Sequence, residues 1–151
     1  MRVKQRMNLR KVHYRDLEFM LEAHRIANKS DMRSKHGSVI VKNGKIISYG
    51  HNRSLGVNKH HYREERGKGK GVYSIHAEQD ALMKVDPKKL NGATLYVIRV
   101  GYEVNNTLFM DSRPCHKCMS KIRKCMEKHG LKKVYFSLNF EEEMGIHQQQ
   151  F

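Results

Sequence analysis

Two short stretches carry residues whose types and spacing could do chemistry: Ser74-Ile75-His76-Ala77-Glu78 and Arg113-Pro114-Cys115-His116-Lys117-Cys118. His76, Cys115 and Cys118 offer one imidazole and two thiolates. Three such donors leave a tetrahedral zinc ion one open position for water. Glu78, two residues after the histidine, is a carboxylate able to carry the protons of that water. On a helix Cys115 and Cys118, three apart, share one face. The positive end of a helix dipole favours their thiolate form. Pro114 suits the first helical position, where no amide hydrogen is needed.

Other uses of a Cys-x-x-Cys account for less. A redox dithiol also sits at a helix start but leaves His76 and Glu78 without a role. A structural zinc needs a fourth ligand, for which Cys125 and His129 are the candidates. Cys125 lies about 15 Å from Cys115 along a continuous helix at ~1.5 Å per residue, so the two do not converge. It reads instead as a small buried residue. His76 and Glu78 would diverge by about 200° within a regular helix. They serve one pocket only if the site straddles a helix start, with His76 on the metal and Glu78 reaching the water without being a ligand.

The elements that must position these groups follow from periodicity. Leu17, Met20, Leu21, His24 and Ala27 recur at helical spacing, with Tyr14 or Asp16 marking the entry. His24 on that face reads as a core histidine. His36-Gly37-Ser38-Val39-Ile40-Val41 and the run after Asn43-Gly44 predict a β-hairpin with a tight type I′ turn. Residues 53–73 are polar, glycine-rich and basic, and read as a long loop. A helix is expected over 76–85, with Ala77, Ala81 and Val85 on one face, ended by Asp86-Pro87. Residues 94–100 form a central strand and 108–110 a brief extended piece. A last helix runs over 114–130 with Cys118, Ile122, Cys125 and Met126 inward, and a strand follows at 134–138. Strands alternating with helices after an initial hairpin predict a three-layer α/β/α sandwich with a mixed sheet. The chain divides into a basic, flexible N-terminal arm (1–15), one domain (16–140) and a C-terminal tail (141–151), without an internal repeat.

The 151 residues suffice for one buried core. No apolar run is long enough to cross a bilayer, and the N-terminus lacks the apolar centre of a secretory signal. Three cysteines do not make a disulfide framework, which suggests a reducing compartment, cytoplasmic or nuclear. Lys and Arg total 30 against 15 Asp and Glu, a net charge of +15. That excess points to a polyanionic or phosphorylated partner.

The paired motifs, with His36-Gly37-Ser38-Val39-Ile40-Val41 and Gly50-His51-Asn52, resemble the cytidine/deoxycytidylate zinc deaminase superfamily. The likeness is to its histidine-type branch and covers residues 17–138. It implies a cytidine deaminase-like fold, Zn2+ held by His76, Cys115 and Cys118, and Glu78 as the catalytic proton carrier. It further implies that Asn52 contacts the substrate's sugar, although an asparagine ending a strand also serves as a turn residue. Family members often form oligomers, so a homo-oligomer is implied. Two departures stand out. The loop 53–73 has His60 and His61 but no cysteine for a second zinc. Arg113 also stands where the tRNA adenosine deaminases commonly carry an acid.

The leading expectation is a hydrolytic deaminase of cytosine in a pyrimidine nucleotide, dCMP or CMP. The alternatives are a deaminase of cytosine or adenine in RNA or single-stranded DNA, held by the basic arm and loop, and a non-catalytic zinc-containing nucleic-acid-binding subunit. A base also needs a stacking surface, for which Tyr49, Tyr73 and Phe109 are the candidates.

Overall fold

The computed structural model describes residues 3–8, 14–54, 74–101, 109–139 and 144–150. Of the loop expected over 53–73, residues 55–73 lie outside them, as does residue 108 of the extended piece expected over 108–110. In chain order the elements are β1 (Val3–Asn8), α1 (Tyr14–Ala27), β2 (His36–Lys42), β3 (Lys45–His51), β4 (Arg53–Ser54) and β5 (Ser74–Ile75). There follow α2 (Ala77–Lys84), a 3-10 turn (Pro87–Lys89), β6 (Thr94–Val100), β7 (Phe109–Met110), α3 (His116–His129), β8 (Lys133–Asn139) and β9 (Met144–Gln150). No helix among these is long and apolar enough to cross a membrane.

The main sheet has the order β1-β9-β8-β6-β2-β3, with β7 paired to the end of β6, and β4 pairs separately with β5. Of the main-sheet pairings, β6 with β8 is parallel, Tyr96 facing Tyr135. A parallel pair needs a crossover, and α3 lies in the connection between these two strands. The hairpin turn has Asn43 at φ 52° and Gly44 at φ 76°, the two positive values of a type I′ turn.

Alternation along the strands builds the three layers, because successive side chains leave opposite faces of a sheet. Val39, Val41, Tyr96, Ile98 and Tyr135 pack against Met20, Ala23 and Ala27 of α1. Ile40, Leu95, Val97, Val134 and Phe136 pack on the other side, with Ala81 of α2 and Ile122 of α3. The expected α/β/α sandwich with a mixed sheet is the observed architecture. Two glycines of the sequence motifs let helices sit unusually close. A Cβ on Gly37 would stand 2.0 Å from the Ala23 carbonyl oxygen of α1, and one on Gly50 would stand 2.3 Å from that of Ala77 in α2.

Three local expectations are corrected. The N-terminal arm contains a strand, β1, paired antiparallel with β9 of the C-terminal tail. Backbone pairing supplies this contact and needs no apolar pattern, so periodicity was silent. Pro114 lies outside α3 instead of at its first position. Cys115 is the N-cap, still extended at φ −71° and ψ 169°, and its carbonyl accepts the first helical bond from Met119 at 2.8 Å. Phe109 is fully buried on the α1 side of the sheet, edge-on to His24 at 5.9 Å, and offers no stacking surface.

Candidate metal centre and pocket

Each half of the site opens a helix, and buried polar contacts hold each helix start. The Ser38 hydroxyl donates to the Ala77 carbonyl at 2.8 Å, and that of Ser48 to the Ala81 carbonyl at 2.7 Å. Asp80, wholly buried, accepts from the His51 amide at 3.2 Å, the Arg53 guanidinium at 3.1 Å and the Lys84 ammonium at 3.0 Å. Burial acts to raise the Asp80 pKa, but these donors outweigh it and hold the carboxyl below its ordinary range. Four contacts from β2, β3 and their flanks thus fix the angle at which α2 presents its first turn.

The start of α3 is tied to the parallel strands. Ser112, buried, donates its hydroxyl to the Val97 carbonyl of β6 at 2.8 Å and accepts the Ser137 amide of β8 at 2.9 Å. Its own amide donates to the Ser137 carbonyl at 2.9 Å. The chain therefore enters Arg113-Pro114-Cys115 at the carboxyl ends of β6 and β8, the place where open α/β sheets form a crevice.

His76 is the N-cap of α2, extended at φ −80° and ψ 157°, while Glu78 lies one residue inside the helix. This straddling of the helix start is the arrangement that the spacing required. The His76 Nδ1 stands 3.5 Å from the Cys115 Sγ and 3.3 Å from the Cys118 Sγ, and the three donor atoms lie within 4.8 Å of one another. Donors about 2.0 and 2.3 Å from a shared tetrahedral zinc are separated by roughly 3.6 Å, so the spacing suits that ion. Burial, with Glu78 and Cys115 beside it, pushes the Cys118 thiol well above its ordinary range. A divalent cation among these groups reverses that balance and favours the thiolate.

Glu78 is 5% exposed, and burial raises its carboxyl pKa against the hydrogen bonds from its own backbone and from Cys118. Beside it opens a pocket of about 400 Å³ whose lining includes His76, Cys115, Glu78 and Asn52. Asn52 accepts the His36 amide at 2.8 Å and donates to the Ser34 carbonyl at 2.6 Å, which ties the segment before β2 to the end of β3. One lone pair of its side-chain oxygen remains for another donor.

Sequence reasoning did not place Arg33, Ser34, His36 and Ser112 in this lining. His36 belongs to the motif His36-Gly37-Ser38-Val39-Ile40-Val41, whose pattern predicts only the start of a strand there. Arg113, noted as a departure from family pattern, also lines the pocket, and its guanidinium lies 5.8 Å from the Phe136 ring centre. Among the described residues no Phe or Tyr lines the pocket. Tyr49 is 39% exposed on β3, away from that lining, and Tyr73 lies outside the described residues.

Comparison with known proteins agrees with this geometry. The model of the cytidine and deoxycytidylate deaminase zinc-binding region matches residues 13–138. A probable deoxycytidylate deaminase of Caenorhabditis elegans is 34% identical over 128 residues, 78% of this chain, and the chain spans 56% of that protein's length. Among solved structures, the dCMP deaminase of cyanophage S-TIM5 in apo form is 23% identical, with TM-score 0.53 over 83% of this chain and 84% of that one. The same enzyme in complex with dCMP and dUMP is 25% identical, with TM-score 0.50 over 80% and 78%. The fold is thus the cytidine deaminase-like α/β fold, and the His/Cys/Cys group fits Zn2+.

Proposed function

Because the chain belongs to the cytidine and deoxycytidylate deaminase zinc-binding family, we propose that it is a zinc-dependent hydrolytic deaminase. It converts cytosine to uracil in a pyrimidine nucleotide, dCMP or CMP, and releases ammonia. The observation that carries this reading is the buried Glu78 carboxyl on the pocket wall, beside three donors that leave a zinc ion one position free.

His76, Cys115 and Cys118 would hold a zinc ion, which when bound would lower the pKa of its water to about 7 and so make hydroxide available near neutrality. Glu78 accepts a proton from the attacking water at its carboxylate oxygen. It returns protons to the ring nitrogen and then to the departing amine, so that cytosine and water become uracil and ammonia. Burial keeps its carboxyl easier to protonate than an exposed one, which suits a group that must both take and give. Asn52 offers its remaining lone pair to a sugar hydroxyl.

Arg33 and Arg113 on the lining favour a phosphorylated substrate, since a guanidinium holds phosphate through paired hydrogen bonds. The complex of the cyanophage enzyme with dCMP and dUMP supports a nucleotide as well. Ammonia release from a panel of nucleosides, mononucleotides and oligonucleotides tests the reading. Release from dCMP or CMP is expected, and none from any pyrimidine nucleotide overturns it. Release from oligonucleotides alone moves the substrate to RNA or single-stranded DNA. Arg113→Ala should raise KM for dCMP about tenfold or more, with little change for deoxycytidine.

A further inference from the structure

Helix α3 carries a feature that the deaminase reading does not use. Lys117, Lys121, Lys124 and Lys128 are all exposed and follow one another at intervals of four, three and four residues. At ~100° per residue they fall in one narrow stripe, and at ~1.5 Å per residue the stripe is about 16 Å long. The helix has one acid, Glu127. Among the described residues none of the four lysines joins an ion pair. Lys88 and Lys89, exposed in the 3-10 turn that packs against α3, and exposed Lys132 after its end extend the basic surface.

Within the isolated chain the first part of this row is unfavourable, whereas Lys128 in the last turn suits the helix dipole. Lysines at i,i+3 and i,i+4 repel, and Lys117 in the first turn opposes the helix dipole. A polyanion laid along the stripe relieves both. We propose that the lysine row of α3 docks the phosphate backbone of a single-stranded nucleic acid.

The remaining chemistry of the helix selects this partner. An acidic protein would need apolar residues at the centre of the contact, where lysine is depleted. The exposed neighbours of the row are His116, Ser120, Arg123 and Glu127. A membrane-surface helix needs an apolar face turned outward, but Cys118 and Ile122 are buried and Cys125 and Met126 pack on the core. The row begins at Lys117, two residues after Cys115, which lines the cavity of about 400 Å³. A base reaches such a cavity from a duplex only by leaving its stack. The choice of single strand over duplex rests on the cavity taking a base, as the deaminase reading has it, whereas the docking of phosphates does not.

The test uses the full, zinc-loaded chain and a labelled 20-nucleotide oligothymidylate, which has no exocyclic amine to lose. Fluorescence anisotropy is followed between 50 and 200 mM salt. Each phosphate contact on a single strand contributes about −0.7 to the slope of log K against log salt. Lys121→Ala/Lys124→Ala/Lys128→Ala should flatten the slope by about 2 and weaken binding tenfold or more at the low-salt end. Its unfolding temperature should be no lower than that of the wild type, since the repulsion along the row is relieved, and its mononucleotide turnover should match. Three results overturn the proposal: an unchanged slope and affinity in this variant, loss only when Arg2, Lys4 and Arg6 are replaced, or tighter binding to a duplex. Because binding is read without turnover, absence of deaminase activity with the expected salt response would remove only the functional reading.

Discussion

Glu78 is placed for the proposed proton transfer because α2 turns it inward while His76, two residues before it, remains outside the helix. Glu78→Ala should lower turnover by about 10²- to 10⁴-fold, the usual worth of a positioned acid–base group. Zinc content, measured on the same preparation, should be unchanged; a loss of zinc in step with activity would make Glu78 a ligand instead. His36 gives a pH prediction. Burial, with Arg99 and His76 adding repulsion, lowers its pKa to about 4 from 6.5, against a raising contact with the Ser34 carbonyl. The unfolded chain therefore takes up this proton first as pH falls. His36 costs stability progressively from pH 6.5 down to 4, and the loss is complete below that. Relative to His36→Gln, the wild type should lose unfolding free energy across this window and run parallel to the variant above it. Denaturant titrations at a series of pH values would show the difference.

At the level of elements, the site depends on two helix starts held by buried polar side chains. Asp80, Ser38 and Ser48 fix α2, and Ser112 joins the entry of α3 to β6 and β8. Ser112→Ala leaves the Ser137 amide and the Val97 carbonyl short of a partner in a buried place. A cost of about 1–3 kcal/mol is expected, seen as a lower denaturation midpoint and accompanied by weaker zinc retention in a chelator competition. Ser112→Thr keeps the hydroxyl and should restore most of that retention. An alanine variant as stable as the wild type would show that Pro114 and Cys115 are held from elsewhere.

On the scale of the whole molecule, the metal donors bridge segments far apart in the chain, with His76 entering from the β5–α2 junction and the cysteines from the crossover between β6 and β8. An ion bound only by the folded chain adds stability as RT ln(1 + [L]/Kd), about 4 kcal/mol at a thousandfold excess over Kd. Stripping zinc with a chelator should therefore lower the unfolding temperature, and readdition should restore it; an unchanged midpoint would argue against a tight site. The sequence by itself determined the donor types, the hairpin with its Asn43-Gly44 turn, the helical stripes and hence the layered sandwich. These depend on spacings of two to four residues, where backbone geometry alone decides which side chains are neighbours. It could not decide that Phe109 lies inside the core, that β1 joins β9, that Cys115 caps a helix beginning after it, or that Arg33, His36 and Ser112 face one cavity. Those outcomes depend on which distant backbone lies alongside, and only the packing of helices against both faces of the sheet chooses that.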